Sequence, residues 1–144
     1  MHRTVGSLLA TVVLTLGVAG CGSGGDGKAV KVEFGDFSIN PAKSTISAGE
    51  VTFKMHNGGG LEHEAVLFRV DSVNDLKTKA NGQVDEEATS ENLHMGEVEG
   101  VKPGKTKEWK VDLAEGKYVM FCNLDEKGFV HFKKGMYAEF TVTK

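Results

Sequence analysis

Apolar residues recur at every second position in several short runs along this chain. Val30, Val32 and Phe34 alternate with polar residues, and Pro41 closes that segment. Val51, Phe53 and Met55 repeat the pattern after an Ala48-Gly49 turn. A period of two is what a strand with one buried face requires, since successive side chains point to opposite sides. Ala65 to Val70 is a continuous apolar run of strand length. Lys102-Pro103-Gly104 reads as a turn, after which Trp109, Val111 and Leu113 alternate again. Tyr118 to Cys122 and Ala138 to Thr143 complete the set, with Phe140 and Val142 on one face. Short alternating strands between glycine and proline turns predict an all-β domain, a β-sandwich. Residues 71–100 break the pattern. They are polar and acidic, rich in Asp, Glu, Asn and Thr, and are expected to form a long excursion with room for a helical turn or two over Val73 to Ala80.

The start of the chain has a different character. Arg3 precedes an apolar stretch, Val5 to Val18, that is interrupted by small residues and falls short of the roughly 20 apolar residues a spanning helix needs. It ends in Val18-Ala19-Gly20-Cys21, which resembles the bacterial lipobox, where the signal is cleaved before a cysteine that is then lipidated. The expected organisation is a signal peptide at 1–20, a lipidated Cys21 with a Gly/Ser-rich tether at 21–28, and one domain at 29–144. Loss of Arg3 with the signal takes the formal charge from −3 to −4. Mild acidity argues against nucleic acid or an anionic membrane surface as a partner. The expected location is the outer face of a bacterial cytoplasmic membrane.

There are two cysteines. With Cys21 acylated, Cys122 has no disulfide partner, and a lone thiol in an exported protein is an oxidation liability unless a metal holds it. Cys122 ends an apolar run and is followed by His131 and then Gly135-Met136, while His63 stands upstream in Asn57-Gly58-Gly59-Gly60-Leu61-Glu62-His63. A thiolate, two imidazoles and a thioether make the ligand set of a mononuclear type 1 copper site, two histidines and a cysteine in a plane with a weak axial methionine. The expected ligands are His63, Cys122, His131 and Met136.

From about Phe53 to Lys144 the chain resembles the cupredoxins, the plastocyanin- and azurin-like blue copper proteins. The matching pieces are Asn57-Gly58, His63 leading an apolar strand, Pro103-Gly104, Gly116-Lys117-Tyr118 running into Phe121-Cys122, and His131 with Gly135-Met136 before the last strand. The resemblance implies a Greek-key β-sandwich holding one copper, with His131 nearest the surface as the electron port and an apolar wall from Phe121, Phe129 and Met136. It implies single-electron transfer between redox proteins by a monomer, with no substrate transformed. Two positions depart from the family. Asn123 to Val130 put an unusually long stretch between Cys122 and His131. Glu64 stands where relatives carry Asn or a similar residue that ties the two ligand segments, which puts that hydrogen bond in doubt.

The same residues allow other readings. A thiol enzyme built on Cys122 and His131 lacks the helix start that lowers a thiol pKa. Multicopper oxidases need more histidines than a chain with five can supply, and a binuclear copper centre needs a second loop cysteine. The rival reading is a copper-binding lipoprotein that buffers or delivers the metal. His56 reads as a surface strand residue, His94 and Met95 as part of a solvated loop, and Asn57 to Gly60 as backbone freedom beside a ligand rather than a phosphate cradle, since no Lys-Ser/Thr follows.

Overall fold

The computed structural model describes residues 28–144, so the expectations for the signal segment and Cys21 lie outside the described residues. Two sheets face one another. The first is ordered β2-β1-β4-β7, from Ser38–Pro41, Lys28–Gly35, Gly49–Asn57 and Thr106–Leu113. The second is ordered β3-β11-β8-β5-β6, from Thr45–Ser47, Tyr137–Thr143, Gly116–Phe121, His63–Phe68 and His94–Val101. Pairing is antiparallel except for β1 with β4 and β3 with β11. A two-stranded hairpin, β9 (Asp125–Glu126) with β10 (Phe129–Val130), stands apart. Among the described residues no helix is long and apolar enough to cross a membrane.

The alternating runs become strands with one buried face. Val30, Val32 and Phe34 of β1 and Val51, Phe53 and Met55 of β4 meet Ala65, Leu67, Tyr118, Met120, Phe140 and Val142 of the second sheet in one core. Each such side chain contributes roughly 1.5 to 3 kcal/mol when fully buried. Tyr118 keeps its hydroxyl satisfied by donating to the Ala114 carbonyl at 2.7 Å, which fixes the turn between β7 and β8. At the sheet edge Gly96, with φ of 117°, lets β6 lie against Trp109; a Cβ there would stand 3.1 Å from the indole.

The excursion opens as expected and ends differently. One helical turn forms within Val73 to Ala80, a 3-10 turn at Val73–Asp75 that starts from Ser72, whose side chain accepts from the Asn74 N–H. The last part of the segment is not loop but strand β6, whose exposed Glu97 and Glu99 hide it from a search for apolar alternation. The rest folds over the outer face of the second sheet. Val70, Leu76 and Val84 bury against Val66, Phe68, Val119 and Phe121 in a second apolar cluster. β5 is therefore buried at every position.

Candidate metal centre

The site lies where β4 and β8 end and β5 begins. Asn57, the last residue of β4, is fully buried and uses its whole amide. It donates to the carbonyls of Leu61 and Val101, both at 2.7 Å, and accepts from the Gly59 N–H at 2.9 Å. That pins the glycine loop that delivers His63. Asp36, in the turn after β1, accepts from the N–H groups of Gly60 and Leu61 at 2.8 and 3.2 Å. A Cβ on Gly59 would come within 2.9 Å of the Asp36 backbone nitrogen, so close approach, not a positive φ, requires glycine there. The β5–β6 pairing shifts register between His63 and Ala65, and such irregularities re-aim side chains at sites.

The stretch from Cys122 to His131 is long yet closed. Residues 123–130 fold into the β9–β10 hairpin, whose central Lys127 and Gly128 both have positive φ, the requirement of a type I′ turn. The Asp125 carboxylate accepts from the Gly128 N–H at 2.8 Å, and His131 N–H donates to Leu124 O at 2.9 Å. The extra residues are thus absorbed in a side hairpin and return His131 to Cys122. A 3-10 turn at Phe132–Lys134 ends at left-handed Gly135, after which Met136 N–H donates to His131 O and Cys122 N–H to Met136 O, both at 3.1 Å.

Three of the expected ligands converge. The Nδ1 atoms of His63 and His131 are 3.3 Å apart, and Cys122 Sγ is 3.3 Å from His131 Nδ1. This is close to the spacing of three donors around one ion at bond lengths of about 2.0 to 2.3 Å. Met136 is fully buried in the same core as Cys122. All four residues are 0 % exposed. Burial lowers the pKa of both histidines, with His131 adding to the effect on His63. Burial thus favours the neutral form of both rings. Burial also pushes the Cys122 thiol up to about 12, against hydrogen bonds from the Glu64 and Leu124 backbone N–H groups. Held by a metal, Cys122 would supply its sulfur as the thiolate. With each Nδ1 turned to the common centre, Nε2 is left to carry the ring proton, and both Nε2 atoms are buried without a hydrogen-bond partner.

Several expectations need correction. The Glu64 tie is made: its Oε1 accepts from the Asn123 N–H at 2.8 Å, joining the residue after His63 to the residue after Cys122. Burial raises the Glu64 carboxyl to about 7, with Glu86, Glu97 and Glu99 adding to the effect of desolvation. The apolar wall is not Phe121, which alternates away from Cys122 into the outer cluster, nor Phe129, which is 53 % exposed. Phe34 instead sets its ring edge on His63 at 5.8 Å, and Phe37 does so on His131 at 5.2 Å. Phe37 has φ of 62°, a conformation that non-glycine residues hold only when the surroundings impose it. Phe37 thus covers His131, which is 0 % exposed like the other three expected ligands. Sequence reasoning missed Asp36 and Phe37, for which the strand break at Gly35-Asp36-Phe37 was the available sign. His94 is no loop residue: it opens β6, and its ring stacks on Phe68 at 4.9 Å, while Met95 packs on the main core. His56 is half-exposed on β4 and bonded to Glu33 at 2.8 Å.

No family model and no curated protein matches the sequence. Solved structures do. Reduced auracyanin from the photosynthetic bacterium Roseiflexus castenholzii superposes with a TM-score of 0.58 at 16% identity, covering 81% of this chain and 98% of that one. Auracyanin A, a "blue" copper protein from Chloroflexus aurantiacus, gives 0.53 at 20% identity over 80% and 99%. Rusticyanin from Thiobacillus ferrooxidans gives 0.55 at 15% identity over 81% and 79%. At such identities the likeness establishes architecture, and the domain has the cupredoxin fold.

Proposed function

We propose that His63, Cys122, His131 and Met136 hold one copper ion and that the protein carries single electrons between redox partners. The observation that carries this reading is the contact of two imidazole nitrogens and one thiol sulfur inside a dry pocket at one end of the fold. That donor set suits copper in both of its common oxidation states, and copper held there would supply one-electron exchange. The chain's own part is to hold the donors still. Asn57, Asp36 and Glu64 fix the loops around His63 and Cys122, and Phe34 and Phe37 exclude water.

A mostly apolar hollow lined by Phe37, Leu61, Glu126, Lys127, Phe129 and Lys134 includes the residue whose ring meets His131. It gives a redox protein a place to dock against the residue that covers His131. The Val18-Ala19-Gly20-Cys21 segment supports anchoring by lipid at Cys21, with the following Gly/Ser stretch as tether. Cys21→Ser then releases the domain or leaves the precursor uncleaved, without altering the spectrum of the folded domain.

Voltammetry tests the carrier role. The copper-loaded protein is expected to show a reversible one-electron couple with copper retained in both states. Loss of copper to an acceptor on reduction would instead identify a delivery protein.

A further inference from the structure

The excursion brings a second group of metal-ligating side chains together, separate from the centre described above. One donor atom from each of Glu86, His94 and Glu97 lies within 4.8 Å of the other two. Glu86 comes from the segment that folds over the outer face, and His94 and Glu97 come from β6. The His94 ring is held by its stack on Phe68, with an interplanar angle of 14°. Its Nε2 is buried with no hydrogen-bond partner. An imidazole nitrogen left so is costly and calls for a partner. Among the described residues His94 forms no ion pair with either carboxylate. His94 and Glu86 are partly buried, and the imidazole stands near both carboxylates without being paired to either.

Glu86 is also positioned. Its Oε1 accepts from Asn123 Nδ2 at 2.8 Å, and the same Asn123 side chain pairs with both backbone groups of Val84 at 2.7 and 3.0 Å. Carboxylates that ligate metals are commonly oriented by such outer hydrogen bonds. Glu97 is exposed, which leaves an entry path.

We propose that Glu86, His94 and Glu97 form a second binding site, for a divalent transition cation of the zinc class. Two carboxylates balance the charge of the ion, and one imidazole selects a borderline cation over calcium or magnesium, which take oxygen donors. Water completes the coordination on the Glu97 side. Through Glu86 and Asn123 the ion sits one hydrogen bond from the residue that follows Cys122.

The test is a calorimetric titration of Zn²⁺ into the copper-loaded full chain. One equivalent is expected to bind. His94→Gln and Glu97→Gln should each weaken it at least tenfold, and His56→Gln, which removes the other strand histidine beside a carboxylate, should leave it unchanged. Retained far-ultraviolet circular dichroism certifies that the variants fold. If the chain takes no copper, the same titration on the metal-free double variant His63→Ala, Cys122→Ser still reads the second site, because the first has lost its thiolate and one of its two imidazoles. Absence of Zn²⁺ binding in both forms, or an affinity that Glu97→Gln and His94→Gln leave unchanged, overturns the proposal.

Discussion

Strands β5 and β8 are buried on both faces, and the two faces serve different ends. On the inner face Ala65, Leu67, Met120 and Cys122 join the main core and run up to the histidines. On the outer face Val66, Phe68, Val119 and Phe121 pack against the excursion through Val70, Leu76 and Val84, and Phe121 also meets Phe132 of the turn after His131. Both clusters are dry. The inner one ends in donor atoms turned toward one another, while the outer one ends in backbone pinned by Asn123. Burial is thus common to both faces, and the cysteine-and-histidine centre belongs to the inner one. Asn123 and Glu64 couple them, since the Asn123 side chain grips the excursion while its backbone N–H bonds the carboxylate beside His63.

Substitutions on the two faces should separate stability from metal binding. His63→Ala is expected to have the largest effect, abolishing stoichiometric copper binding in an equilibrium titration while the far-ultraviolet circular dichroism of the metal-free protein is kept. Next comes Phe68→Ala on the outer face. It should lower the stability of the metal-free protein by about 3 to 5 kcal/mol in denaturant unfolding, yet leave the visible spectrum of the folded, loaded protein unchanged. A changed spectrum would mean that the faces are not separable.

The coupling residue gives a smaller effect. Glu64→Ala strips the Asn123 N–H of its buried acceptor and should cost about 1 to 3 kcal/mol. Glu64→Gln keeps an acceptor oxygen in place and should recover most of that loss, measured by the same unfolding curves. Equal losses in the two variants would show that the hydrogen bond does not matter. Smallest in stability is Met136→Leu, a nearly volume-conserving change expected to cost less than about 1.5 kcal/mol. It should retain copper and raise the reduction potential, because removal of a weak axial donor disfavours Cu(II). An unchanged potential would assign the axial position to another group.

The inner face was the legible one. Val30, Phe53 and Phe140 announce themselves by period-two alternation, and Cys122, His131 and His63 by the rarity of their chemistry. The outer face was legible only in part: the continuous apolar run of β5 is the mark of a strand covered on both faces, but nothing in it says what does the covering. Leu76 and Val84 sit singly among acidic residues, and β6 carries exposed glutamates, so residues 71–100 read as solvated loop. Phe37 and Asp36 were hidden for a different reason: their role depends on a turn bringing them back to loops far along the chain. Glu64 was read against a family habit, when its carboxylate makes the bond that an amide would make.

The central claim is that Cys122 is a copper ligand between two histidines. It is tested most directly by the visible absorption of a chain beginning at Lys28, in which Cys122 is the one thiol, after addition of Cu(II). The account predicts an intense thiolate-to-copper charge-transfer band at one equivalent of copper, lost in Cys122→Ser while the fold is retained. A Cys122→Ser protein with the same colour, or a folded unsubstituted protein that binds copper without any such band, would contradict it.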